Sequence, residues 1–163
     1  MHDALVANPD EPILLNNKTV ALVRLKRYSD ADVAAKRLRS NLNTTEPEPT
    51  TLATLGLLDF SKGNVSGGRN CYAMAAEKAR KLGLPDLEFR VRAHWLYEEA
   101  NAGVLSQDIF AQIVALMDDA ASKAWIRPTS VETWNALKAR ASISNFVAHA
   151  DTTSQIPFLL FDK

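Results

Sequence analysis

At 163 residues, 47% hydrophobic and 23% charged, the chain is long enough to bury a core and has the composition of a globular protein, not a disordered or fibrous one. Nineteen Lys and Arg against nineteen Asp and Glu give a formal net charge of zero, which argues against a chain-wide attraction to nucleic acid or an anionic membrane. Cys71 is the only cysteine, so no internal disulfide forms and a reducing, cytoplasmic setting is expected. No stretch approaches the roughly 18 apolar residues of a membrane helix, and Met1-His2-Asp3 does not open a signal peptide.

The first predicted pair of helices runs from Pro12 to about Asn43. Ile13, Leu14, Leu15, Val20, Leu22, Val23 and Leu25 give a largely apolar first helix, and Lys26-Arg27 form a turn. Ser29 is the expected N-cap of the second helix, which carries Tyr28, Ala31, Val33, Ala34, Ala35 and Leu38. Lys18 stands where an apolar residue suits the pattern, and its stem is expected to snorkel past the core. A polar loop, Asn41 to Pro49, leads to the second pair. There Leu52, Leu55, Gly56 and Phe60 precede a turn at Ser61-Lys62-Gly63-Asn64, and Gly68, Tyr72, Ala75, Ala76 and Ala79 follow it. Pro12 and Pro49 stand 37 residues apart, as do Ser29 and Ser66, so two landmarks give one period.

Leu52-x2-Leu55-Gly56 followed by Gly68-x3-Tyr72, with Tyr28-x2-Ala31 in the first pair, resembles the tetratricopeptide repeat. The resemblance implies an all-α fold: antiparallel helix-turn-helix repeats stacked as a short right-handed α-solenoid, ending in a capping helix. It implies a single domain over 1–163, with repeats at about 12–48, 49–85 and a divergent 86–124, then a capping helix and tail over 128–163. In that frame Ala4 to Pro12 reads as the end of an earlier repeat, and the chain is expected to be a piece of a longer repeat protein. Gly67 beside Gly68 departs from the pattern and has no account in the sequence.

The same step of 37 places the third repeat at Asp86, with Phe89, Ala93 and Leu96 as its packing positions and Arg92 where leucine is usual. Its second helix is expected behind Ser106, with Ile109, Ile113, Leu116 and Met117 on one face and Ala120 continuing it. Thr129-x2-Glu132 reads as a capping box opening a last helix with Val131, Trp134, Leu137, Ala141 and Phe146 as its apolar stripe. The ending Ile156-Pro157-Phe158-Leu159-Leu160-Phe161 is very apolar; it is expected to dock on the domain, with self-association as the alternative.

Groups for catalysis or metal binding do not converge. There is no phosphate-cradling loop, no Gly-x-Ser-x-Gly and no Cys-x2-Cys, and His2, His94 and His149 are scattered. His94 and Glu98 share a helix face, but two ligands make a weak metal site, so no enzyme activity, cofactor or metal is expected. The resemblance implies a protein–protein interaction module of adaptor or scaffold type, binding a peptide or protein in a concave groove lined by the first helices. The lining positions carried over are Asn16, Asn17, Val20, Val23 and Arg24; then Ala53, Thr54, Leu57, Phe60 and Ser61; then Arg90, Val91, His94, Tyr97 and Glu98. Asn17 would bond a peptide backbone, Arg24 a carboxylate, and Phe60 and Tyr97 would be apolar anchors. Thr50 and Thr54 stand where the clamp for chaperone C-termini needs Lys and Arg, so that partner class is not expected. Two other readings are a regulatory or oligomerisation domain of a larger protein and an RNA-binding helical repeat. The basic residues Arg24, Lys26, Arg27, Lys36, Arg37 and Arg39 favour the second, and zero net charge and few groove aromatics disfavour it.

Overall fold

A computed structural model describes residues 11–42, 47–105 and 107–146, with 41, 42, 108, 109, 112 and 140–146 described by their backbone alone. The segment before Glu11, Ser106 and the 156–161 tail lie outside the described residues. Among those described, all regular structure is helical. The seven helices are α1 (Pro12–Arg24), α2 (Tyr28–Leu42), α3 (Pro49–Ser61), α4 (Val65–Lys81), α5 (Pro85–Asn101), α6 (Gln107–Ala121) and α7 (Pro128–Phe146). No helix among them is long and apolar enough to cross a membrane.

Local chemistry explains where these helices start. Proline occupies the first helical position of α1, α3, α5 and α7, where its missing N–H is no loss and its fixed φ suits the helix. The third pair therefore opens at Pro85, one residue before the place that an unbroken step of 37 gives. Glu11 caps α1 by accepting the Leu14 N–H at 2.8 Å. The second helices begin earlier than their serines suggest. α4 is capped by Asn64, whose Oδ1 accepts the Gly67 N–H at 3.2 Å, while Ser66 lies inside the helix. Ser29 likewise lies inside α2. The Asn64 amide folds over Gly67 and occupies the place a Cβ would take, which accounts for that glycine.

Four helix ends share one turn. At the ends of α1, α3, α4 and α5 the residues Lys26, Gly63, Gly83 and Gly103 have φ of 56, 80, 66 and 68°. In each case the next N–H reaches back five residues: Arg27 to the Leu22 carbonyl (2.9 Å), Asn64 to Asp59 (2.9 Å), Leu84 to Ala79 (3.0 Å) and Val104 to Glu99 (3.1 Å). This is the Schellman arrangement, which recovers carbonyls the helix end leaves unbonded. Three of the four positions are glycine; Lys26 holds the same left-handed conformation with a Cβ. Lys26→Gly is expected to raise the stability of the first unit by about 0.5–1 kcal/mol, read by urea denaturation. A loss of stability would mean that the lysine side chain contributes more than the backbone strain costs.

The chain divides into two compact units, Met1–Ala75 and Ala76–Lys163. In the first, α1 packs on α2 and on α3, and α2 also meets α3. Leu15, Leu22, Ala31, Ala35 and Leu38 are buried, as are Leu52, Leu55 and Leu58 of α3. α3 and α4 approach closely: a Cβ on Gly56 would stand 2.8 Å from the Tyr72 ring and 3.1 Å from the Gly68 carbonyl, and one on Gly68 would overlap the Phe60 ring. Phe60 and Tyr72 fill the space beside these glycines, their centroids 6.0 Å apart. Cys71 is half-buried on α4, its thiol 3.9 Å from Asp59 Oδ2, and burial followed by the Asp59 charge pushes its pKa up, so it stays a thiol at neutral pH.

In the second unit the same three-way packing recurs: α5 meets α6 and α7, and α6 meets α7. Phe89, Ala93, Leu96 and Tyr97 of α5 surround Met117, Ile126, Trp134 and Leu137. The inward face of α6 is Phe110, Ile113, Val114, Met117, Ala120 and Ala121, at helical spacing. Leu116, expected on that face, is 57% exposed, because it lies one step around the helix from Met117. Among the described residues Thr129 and Glu132 share no capping-box bond; instead the Arg127 N–H donates to Asp86 Oδ1 at 2.9 Å, tying the start of α7 to the start of α5.

Candidate functional site

In the first unit the two expected rows lie on α1 and α3, consecutive first helices that pack together. On α1, Asn16 and Val20 are buried, Asn17 is half-buried and Arg24 is exposed. On α3, Ala53, Thr54, Leu57 and Phe60 are all buried. The ring of Phe60 is committed to Gly68 and Tyr72, so it serves the α3–α4 contact and is not an open anchor. Solvent on these rows reaches mainly Arg24 and part of Asn17 and Ser61.

The polar chemistry of the rows is uneven. Thr19 bonds its hydroxyl to the Leu15 carbonyl at 2.8 Å and is satisfied within its own helix. By contrast, Asn16 Oδ1, Asn17 Oδ1 and Thr54 Oγ1 are enclosed and meet no hydrogen-bonding group among the described residues. Enclosing such an atom costs about 1–3 kcal/mol, and natural cores rarely keep several together. Asn17 on α1 and Thr54 on α3 stand 37 residues apart, the same spacing as Pro12 and Pro49. The sequence pointed to Asn16 and Asn17 by position in the repeat; the orphaned state of Thr54 depends on its lacking the turn-back bond that Thr19 makes, which sequence does not reveal.

The third row, on α5 of the second unit, is also largely covered. His94, Tyr97 and Glu98 are buried, and Val91 is fully so. Arg90 is nearly enclosed and pairs with Asp86 at 3.1 Å. Nearby, Arg92 holds Glu88 through two bonds of 2.7 and 3.0 Å, and the Trp95 Nε1–H donates to Glu99 at 2.8 Å. The leucine place taken by Arg92 is thus filled by an ion pair along α5. Among the described residues no three His, Cys, Asp or Glu side chains come together as a metal site.

Comparison with family models, with curated proteins and with solved structures finds no match for this chain.

Proposed function

We propose that the chain is a tetratricopeptide-like repeat protein, a short α-solenoid that serves as an interaction module and binds an extended peptide or protein segment along its first helices. The observation that carries this reading is the polar row of Asn16, Asn17 and Thr54 on two consecutive first helices, which opens to solvent at Asn17. A peptide backbone offers N–H and C=O groups at strand spacing, and an amide side chain can donate to one and accept from the other. Asn17, half-buried, is the member of the row that a bound segment can reach. Arg24, exposed at the end of the same helix, suits a carboxylate on the bound segment. The recurrence of one helix-turn-helix construction, opened by proline and closed by the same turn, supports the repeat part of the reading.

Selection from a random-peptide display library on the full chain tests it. A convergent peptide family is expected, its affinity falling roughly 5- to 150-fold in Asn17→Ala, in proportion to about 1–3 kcal/mol per lost buried hydrogen bond, with a similar loss in Arg24→Ala for peptides that carry a carboxylate. Peptides that bind equally well to both variants, or no convergence at all, would overturn the assignment of the row.

A further inference from the structure

We draw no further inference here: the strongest candidate, the largely buried stripe of ionisable side chains Asp86, Arg90, His94 and Glu98 at four-residue steps along α5, carries nothing, because no metal-ligating set forms there among the described residues and nothing in the structure shows what faces His94 and Glu98.

Discussion

Trp134→Ala is expected to destabilise the second unit by about 3–5 kcal/mol, because this is the largest fully buried side chain among the described residues. The indole is completely buried and stands edge-on to Phe89 with centroids 6.2 Å apart. Its Nε1–H donates to Asp118 at 2.8 Å, and Lys138 Nζ, bonded to the same carboxylate, lies 5.8 Å above the ring. Removing the ring leaves a large cavity and takes away one of two donors on Asp118. Trp134→Phe separates these effects, since it keeps most of the volume and loses the donor; about 1–2 kcal/mol is expected there. Urea denaturation followed by circular dichroism measures both, and an alanine cost below about 1 kcal/mol would show that the site collapses without loss.

The same cluster sets a pH dependence. The Asp118 carboxyl is held below the usual carboxylate range, first by the Lys138 hydrogen bond and then by that from Trp134. A folded-state pKa lower than the unfolded one means that the contribution is present above the unfolded value of about 3.9 and fades as pH falls through it toward the folded value. The carboxylate is 45% exposed, so solvent screens the effect, and it shows as a slightly steeper acid limb in the native chain than in Trp134→Ala.

In the first unit, Gly56→Ala is expected to cost about 1–3 kcal/mol, although alanine is favoured over glycine in a helix by about 1 kcal/mol. The new Cβ would stand 2.8 Å from a buried tyrosine ring and 3.1 Å from a helix carbonyl, and neither can retreat cheaply. Gly68→Ala presses on the Phe60 ring from the other helix. Because Tyr72 lies against Gly56, Phe60 against Gly68, and the two rings are 6.0 Å apart, the double variant should depart from the sum of the single ones, and a thermodynamic cycle measures that coupling. Gly67→Ala is the contrast. It displaces only the end of the Asn64 side chain, and the lost cap bond nearly cancels the gain in helix propensity. A Gly56→Ala variant as stable as the parent would mean that α3 and α4 part more easily than the packing suggests.

Much of this architecture could be read from the chain itself. Prolines and apolar periodicity place the helices, because proline is tolerated at a first turn and nowhere inside, and the small residues Gly56 and Gly68 mark the close helix pair. Caps are harder to read. Ser66 has the right chemistry, but Asn64 stands two residues earlier, where the left-handed Gly63 delivers its side chain to the Gly67 N–H. The face of α6 was misjudged by one step at Leu116, since a short helix rich in apolar residues offers two stripes and only packing selects one. Burial of the groove rows was not legible either. Whether Leu57 or Ala53 meets solvent depends on how neighbouring helices cover them, and repeat position alone does not fix that.

The four Schellman turns also bear on how the chain finds its fold. After α1, α3 and α5 the turn leads within a few residues to a helix that packs on the one before it, so these partners meet across a very short stretch of backbone. Closing so small a loop takes little chain entropy, and proteins dominated by such local contacts fold on the microsecond to millisecond scale. A helix pair such as α1–α2 can therefore form before distant parts of the chain are ordered. During synthesis this order of events suits a polypeptide that emerges one helix pair at a time.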